Sequence, residues 1–333
     1  MSAPLRLAVL TEVGRGPGLG HFRRCMALGR AAVELGARAR LLVAGDVPAE
    51  PSRDGRRLEF EPCNWLAAAD VGFAALDHGS ADVVIVDSYA ATTAFLERLG
   101  ARVPCAVLLD DLADRATPVD VVVNGGFHAP QLRYRGKPDS VYLLGPRYAL
   151  LDSAFAEPPS RGAVGVVRRV LVTLGGDAPA ERFDAAVHAV RRAAPAAEVD
   201  VVVGPFTTWK AEDRDRVRVH RGLASLRPLM LAADLAVTAG GMTLYECLAS
   251  GAPIVGLAIA DNQRPNVASL GAAGLLIDGA ASLERAIERL AADADMRASM
   301  SRRGRDVVDG DGARRVVREL ERITAARGVA RRS

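Results

Sequence analysis

The chain has 333 residues, enough for two domains of ordinary size, and half of them are apolar. Its formal net charge is only +3, and few aromatic residues accompany the scattered basic ones, which argues against nucleic acid as the main partner. Four widely separated cysteines form no CxxC pair, which disfavours a structural zinc site and indicates buried thiols. Without a signal-peptide pattern or about 18 consecutive apolar residues, the sequence predicts a cytoplasmic protein with no membrane span.

The first 150 residues alternate strand patterns with helix patterns. Short apolar runs predict buried strands at 5–10, 38–43, 82–89, 105–111 and 119–126. Helical spacing of apolar residues predicts helices over 21–35 and 91–99, and a polar stretch with prolines at 48 and 51 predicts a surface loop. Repeated βαβ units imply a parallel sheet, in which ligands lie at the carboxyl ends of the strands.

The pattern restarts after a segment rich in proline, glycine and serine at 151–165, which has the composition of a linker. Strands are predicted at 168–176, 199–204, 234–241 and 252–259, with helices at 180–193 and 243–250 and two or three more helices up to about 326. We therefore predict an α/β protein with two Rossmann-like domains, residues 1–150 and 166–328.

Two strand–glycine–helix junctions share one physical design. The first places Gly18 and Gly20 directly before His21, and the second places Gly240 and Gly241 before a helix that contains Thr243. Glycine lets the backbone approach a ligand closely, and the helix start directs unpaired N–H groups and partial positive charge at an anion. Two such junctions predict two domains that face one phosphorylated ligand across a cleft.

In the first domain, His21 is the candidate base, because a neutral imidazole can take a proton near pH 7. The alternative is a histidine that only satisfies local structure. Asp87 and Tyr89 end a predicted strand, where Tyr89 either lines a sugar pocket or packs locally. Asp110 and Asp111 are consecutive in a strand and point to opposite faces, so we expect hydrogen bonding and no metal ion there.

In the second domain, the candidate ligand residues follow three predicted strands. The glycine turn and helix start would hold a diphosphate through their N–H groups, the alternative being an empty tight turn. Glu246 is one helical turn further on, where it either accepts from ribose hydroxyls or is a solvated carboxylate. Amide side chains after the strand at 252–259 either bind ligand oxygens or cap a helix. The complete set of candidates here is Gly175, Gly176, Gly240, Gly241, Met242, Thr243, Glu246, Asn262 and Gln263.

Six segments occur together in the order of a known family. They are GLGHFRRC (18–25), VDSY with LLDD, LLGPRYALL (143–151), VTLGGDAP (172–179), ADLAVTAGGMTLYECLASGAP (233–253) and ADNQ (260–263). The chain thereby resembles the UDP-sugar hydrolase of pseudaminic acid biosynthesis and its spore coat polysaccharide relatives, and in turn the GT-B glycosyltransferases. The resemblance implies a GT-B-like fold with parallel sheets facing a central cleft and a UDP-sugar substrate.

The same resemblance assigns roles to individual residues. It implies that His21 is catalytic, that Glu246 binds the ribose, and that Asn262 and Gln263 lie in the donor site. Two positions depart from the family pattern, with Leu19 in place of a small polar residue and Tyr245 where many members carry tryptophan. The first departure puts the sugar in doubt, and an apolar Leu19 suits a deoxy or methyl-bearing ring.

We therefore expect an enzyme in surface polysaccharide or nonulosonic acid biosynthesis that needs no cofactor. The first hypothesis is a hydrolase in which His21 activates water to attack the anomeric carbon of a UDP-linked amino-deoxy sugar. The alternative is a GT-B glycosyltransferase, in which an acceptor hydroxyl replaces water. The third is a nucleotide-sugar binding protein without catalysis. The identity of the sugar and the oligomeric state do not follow from the sequence.

Overall fold

The computed structural model describes residues 4–14, 19–45, 58–77, 81–159, 165–210, 212–213 and 215–328. They form two compact units: residues up to Ser153 together with those from Asp311 onward, and residues Ala154–Gly310. Each unit is built on one main parallel sheet, so the predicted α/β class with two parallel-sheet domains is confirmed. The surface loop predicted around Pro48 lies outside the described residues.

Nine strands lie in the described part of the first unit. They are β1 (Arg6–Glu12), β2 (Arg38–Ala44), β3 (Leu58–Pro62), β4 (Val83–Asp87), β5 (Ala106–Leu109), β6 (Ala116–Thr117), β7 (Val121–Asn124), β8 (Arg135–Gly136) and β9 (Val141–Leu144). Seven of them form the main sheet in the order β3-β2-β1-β4-β5-β7-β9, while β6 pairs with β8. Because this order reverses direction between β1 and β4, the carboxyl ends of those two strands mark the switch point where ligands bind in such sheets.

Three helices of the first unit follow its strands: α1 (Gly20–Glu34), α2 (Ala69–Asp77) and α3 (Thr93–Arg102). Helix α1 buries an apolar face that includes Phe22, Cys25 and Leu28, as its spacing predicts. Thr92 precedes helix α3 and caps it, because its side chain accepts a hydrogen bond from the Phe95 N–H. Helix α1 thus starts at the switch point, close to the end of β1.

The second unit repeats this plan. Its strands are β10 (Arg169–Thr173), β11 (Glu198–Val203), β12 (Val217–Arg221), β13 (Leu235–Ala239), β14 (Ile254–Leu257) and β15 (Ile277–Asp278), in the order β12-β11-β10-β13-β14-β15. Its helices are α4 (Ala180–Ala193), α5 (Arg227–Ala232), α6 (Met242–Ala249), α7 (Arg264–Ala272), α8 (Leu283–Ala292) and α9 (Ala294–Val307). The order reverses between β10 and β13, so a second switch point lies at their carboxyl ends.

The last helix, α10 (Gly312–Ala326), returns to the first unit, where it packs on α1. Its apolar side is fully buried there, and Arg314 pairs with Glu34 at 2.7 Å. The predicted second domain, 166–328, included this helix. The amphipathic pattern of α10 predicts that one of its faces is buried, but not which unit that face packs against. Among the described residues, no helix is long and apolar enough to cross a membrane.

Candidate functional site

The switch point of the first sheet brings His21 and Asp87 together. His21 is the second residue of α1 and only 5% exposed, while Asp87 is the last residue of β4 and fully buried. The His21 Nδ1 atom lies 2.6 Å from Asp87 Oδ1. Two candidates chosen from sequence, 66 positions apart, are therefore hydrogen-bonded partners.

The contact with Asp87 fixes which ring nitrogen of His21 carries the proton. Arg24 Nη2 also lies 3.3 Å from His21 Nδ1, and as a donor it would favour a lone pair there. The carboxylate oxygen is much nearer, however, and a lone pair facing it at 2.6 Å would be repelled. Nδ1 therefore carries the hydrogen, and Nε2 keeps the lone pair that can accept a proton from a nucleophile.

Arg24 is the cation of this cluster, and the sequence analysis did not single it out. Its Nε and Nη2 atoms donate to the two oxygens of Asp87 at 2.6 and 2.5 Å. Burial opposes ionisation of Asp87, but the Arg24 guanidinium and His21 outweigh it and hold the pKa of the carboxyl well below its usual range. Burial likewise opposes the charge on Arg24, yet Asp111 and Asp87 raise the pKa of the guanidinium well above its ordinary value. Asp87 and Arg24 are therefore a buried ion pair at neutral pH.

Asp111 extends the cluster towards Tyr89. Arg24 Nη1 donates to both oxygens of Asp111, at 3.0 and 2.7 Å, and the Tyr89 hydroxyl donates to Asp111 at 2.8 Å. The Tyr89 ring stands edge-on to the His21 ring, with centroids 4.6 Å apart, and remains 36% exposed. Tyr89 is thus a partly exposed aromatic side chain held against the candidate base.

The two consecutive aspartates were predicted at the end of a strand, but they lie in the loop after β5, where they have separate partners. Asp111 meets Arg24, whereas the fully buried Asp110 accepts from the Ala113 N–H at 2.8 Å and lies 3.5 Å from Arg115. Burial raises the pKa of Asp110. Arg115 also donates to the Ser88 and Tyr89 carbonyl oxygens, so the loop after β5 is fastened to the loop after β4.

In the second unit, the glycine turn between β13 and α6 lies at the switch point. The Gly240 N–H donates to the Leu257 carbonyl at 2.9 Å and to Gln263 Oε1 at 3.2 Å. Gly240 therefore shapes the turn, and its N–H is already engaged. The N–H groups at the start of α6, on Met242 and Thr243, have no acceptor within the helix and are the ones that can receive a diphosphate.

Gln263 and Asn266 brace this turn. Gln263 Oε1 accepts from both the Gly240 and the Ile259 N–H groups, so its Nε2 is the donor that remains for a ligand or for solvent. Asn266 Nδ2 donates to the Gly240 carbonyl at 3.3 Å, and the buried Tyr245 hydroxyl donates to Asn266 Oδ1 at 2.7 Å. Tyr245, a departure from the family pattern, thus links α6 to α7 through its hydroxyl.

The remaining candidates of the second unit lie around this turn with different exposures. Thr243 and Glu246 are half-buried on α6, whereas Asn262 is exposed. Gly175 follows β10 with a φ of +91°, a conformation that favours glycine, and Gly176 is half-buried beside it. In the first unit, Gly20 begins α1 in open space, and Gly18 lies outside the described residues.

The structure thus assembles two clusters, one in each unit. Sequence reasoning found His21, Asp87 and Tyr89 in the first cluster, and Gly240 and Gln263 in the second. It missed Arg24 and Asn266, and it expected only hydrogen bonding of Asp111, which accepts from Arg24 and Tyr89. One signal was available for Arg24, since it is one helical turn after His21 and therefore shares its face of α1.

The chain is distantly similar to two curated proteins, and no family model matches it. Over 204 residues it is 26% identical to an uncharacterised protein of Methanocaldococcus jannaschii, a match that covers 55% of this chain and 41% of that protein. Over 218 residues it is 25% identical to the spore coat polysaccharide biosynthesis protein SpsG of Bacillus subtilis, a match that covers 61% of this chain and 64% of that protein. The chain therefore matches less than two thirds of either relative. The predicted kinship with spore coat polysaccharide proteins is confirmed as a distant one.

Solved glycosyltransferases share the fold over almost the whole chain. The kitacinnamycin glycosyltransferase superposes with a TM-score of 0.63 at 21% identity, covering 97% of this chain and 99% of that one. The calicheamicin glycosyltransferase CalG4 gives 0.64 at 17% identity, covering 98% and 100%. Streptomyces sp. SF2575 SsfS6, solved with thymidine diphosphate, gives 0.63 at 16% identity, covering 96% and 99%. The predicted fold class is confirmed: the chain has the two-domain, parallel-sheet fold of GT-B glycosyltransferases.

Proposed function

We propose that the chain is an enzyme that moves a glycosyl group from a nucleotide sugar to a hydroxyl nucleophile, with His21 as the general base. The observation that carries this proposal is the buried His21–Asp87 contact of 2.6 Å at the switch point of the first sheet. A histidine with Nδ1–H held by an ionised carboxylate is oriented for proton transfer at Nε2.

In this mechanism the nucleophile's O–H loses its proton to His21 Nε2 while its oxygen bonds to the anomeric carbon. The bond between that carbon and the diphosphate oxygen breaks, and the nucleoside diphosphate leaves with the electron pair. Asp87 stabilises the imidazolium that forms. The N–H groups at the start of α6 stabilise the charge on the leaving diphosphate. In this proposal the first unit supplies the base, and the second unit binds the diphosphate.

Transfer to an acceptor hydroxyl is the first candidate reaction. The three solved glycosyltransferases described above share the fold over 96–98% of this chain, and one of them was solved with thymidine diphosphate. Hydrolysis is the second candidate. It is supported by the resemblance to the UDP-sugar hydrolase, whose motifs at Gly20–His21 and at Gly240 occur in this chain in the same order. Both reactions use the same base, and both predict UDP as the leaving group.

The nucleophile can be identified by nucleotide release from UDP-sugars in water that contains heavy oxygen. A hydrolase releases UDP without any acceptor and incorporates the label into the sugar. A transferase releases UDP at a comparable rate only when an acceptor alcohol or sugar is present. Label in UDP would mean attack at phosphorus and would contradict both candidates.

We expect His21→Asn to lower turnover about 10²–10⁴-fold, because asparagine keeps a hydrogen bond to Asp87 but offers no base. UDP affinity should stay near that of the unmodified protein, since the diphosphate is assigned to the second unit. The matched control is His188→Asn, an exposed histidine on α4, which should leave turnover unchanged. Full activity in His21→Asn would overturn the proposed function.

A further inference from the structure

The charges around His21 do not balance. Arg24 carries one positive charge, and it is shared between two carboxylates, Asp87 and Asp111. With His21 neutral, this cluster therefore has a net charge of −1. We propose that Asp111, acting through Arg24, is a positioning residue that leaves the His21–Asp87 pair with one uncompensated negative charge, which stabilises the imidazolium formed on proton transfer. The inference rests on the proposed role of His21 as the base.

The hydrogen bonds show how the guanidinium is divided. Nε and Nη2 face Asp87, while Nη1 faces Asp111 at 3.0 and 2.7 Å. Arg24 is buried, so its charge is poorly screened by solvent, and each carboxylate competes for it. Without Asp111, the guanidinium would neutralise Asp87 alone, and protonation of His21 would leave the cluster with a net positive charge.

Apart from Glu12, the titratable groups around this cluster are uncharged or paired. Cys25 donates to Asp87 at 3.3 Å, and burial raises the pKa of its thiol well above the usual range. Tyr89 donates its hydroxyl proton to Asp111, and burial raises the pKa of Tyr134. Asp110 is partnered by Arg115 at 3.5 Å. Glu12 lies on β1 directly after Thr11, which is paired with Asp87 in the sheet. Because none of the variants below changes Glu12, its charge does not contribute to the differences between them.

Asp111→Asn is the decisive variant, because it removes one charge and keeps an oxygen that can accept from Arg24 and Tyr89. The pH dependence of turnover should keep its shape, but its acidic limb should move to lower pH by about 1 unit, since the imidazolium loses a stabilising charge. Arg24→Gln makes the opposite change of charge and should move the limb to higher pH. The matched control is Asp114→Asn, an exposed carboxylate in the same loop with 57% side-chain exposure, whose profile should not move.

A second measurement separates this inference from the proposed function. The His21 imidazole can be titrated by NMR in the full-length protein, using isotope-labelled histidine and His21→Asn to assign its signal. A titration midpoint that falls by about 1 unit in Asp111→Asn and stays constant in Asp114→Asn supports the inference. An unchanged or raised midpoint in Asp111→Asn overturns it, whether or not Arg24→Gln folds. A lowered midpoint with an unchanged pH dependence of turnover would instead overturn the role of His21 as the base.

Discussion

Asp87 is the residue on which the first cluster depends. It is fully buried and accepts hydrogen bonds from His21, from Arg24 and from the Cys25 thiol. Removing one partner of a buried ion pair leaves the other charge without compensation, which costs more than the intact pair contributes. Asp87 therefore has a structural role as well as the proposed role of orienting the base.

We expect Asp87→Asn to lower the free energy of unfolding by about 3–5 kcal/mol at pH 7. The folded-state pKa of Asp87 is depressed, so its stabilising contribution is complete above the unfolded value of about 3.9 and is lost as pH falls towards the folded value. The difference between the two proteins should therefore shrink between about pH 4 and pH 2.

Urea unfolding at pH 7 and at pH 3 measures both differences. Asp114→Asn, which changes an exposed carboxylate, should match the unmodified protein at both pH values. A penalty in Asp87→Asn that is equal at pH 7 and pH 3 would show that the ionised carboxylate is not its source.

Single residues could be predicted from the sequence only where local pattern marks them. His21 and Asp87 were found because a glycine junction and the end of an apolar run are visible locally. Arg24 was not found, because it is one of 43 basic residues and its partners are 63 and 87 positions away. Such charge pairing is fixed by the sheet order and not by any local spacing.

At the scale of elements, the strand–turn–helix junction at Gly240 carries the geometry of the second cluster. A Cβ atom on Gly240 would lie 2.6 Å from Val267 Cγ2 and 3.1 Å from Gln263 Cβ, so α7 packs directly on this glycine. A Cβ on Gly241 would meet only Gln263 Nε2, at 3.8 Å. The two neighbouring glycines therefore have different roles. Gly240 allows α7 to pack against the turn, and Gly241 leaves space in front of the first N–H groups of α6.

Alanine at each position should separate these purposes. Gly240→Ala should destabilise the protein by about 1–3 kcal/mol through overpacking against α7. Gly241→Ala should change stability by no more than about 0.5 kcal/mol, yet weaken UDP binding, because its methyl group occupies the space before α6. Thermal unfolding and calorimetry with UDP measure the two effects, and unchanged UDP affinity in Gly241→Ala would contradict a diphosphate site at this turn.

The central strands of both sheets were predictable because they are mostly apolar, but the edge strands β3, β9 and β12 were missed. Strands β3 and β12 lie at the edges of their sheets and alternate apolar with polar residues, as in Leu58–Glu59–Phe60. Charged residues on their outer faces conceal the strand when only apolar runs are counted. Alternation of apolar and polar residues over four positions is the signal that would have found β3 and β12.

For the whole molecule, the second unit is one continuous segment, whereas the first is made of two. Residues 154–310 interrupt the first unit between Ser153 and Asp311. Gly310 comes so close to the Phe155 backbone that any side chain there would clash, so the two ends of the second unit are adjacent. The sequence predicts a linker near 151–165, where the chain passes from the first unit to the second. It does not predict the return to the first unit at Asp311, because Gly310 has no local sequence feature that other glycines lack.

We expect a fragment of residues 154–310 to fold on its own and to bind UDP. A fragment of residues 1–153 should not stay folded, because it lacks α10 and its buried side chains Val316, Val317, Leu320 and Ile323, which stabilise the unit by about 1.5–3 kcal/mol each. Circular dichroism and thermal unfolding of the two fragments test this. The control joins 1–153 to 311–333 by a short flexible linker and should recover cooperative unfolding, while a stable 1–153 fragment would contradict the argument.

The return of α10 to the first unit also sets an order of events during biosynthesis. The sheet that carries His21 and Asp87 is translated before the second unit, whereas the helix that covers α1 is translated after it. At about 5–20 residues per second, the first unit waits roughly 8–30 s with an apolar surface uncovered, while the second unit can fold completely. The nascent chain therefore completes the second unit before the first, and the apolar face of α1 stays uncovered until α10 has been translated.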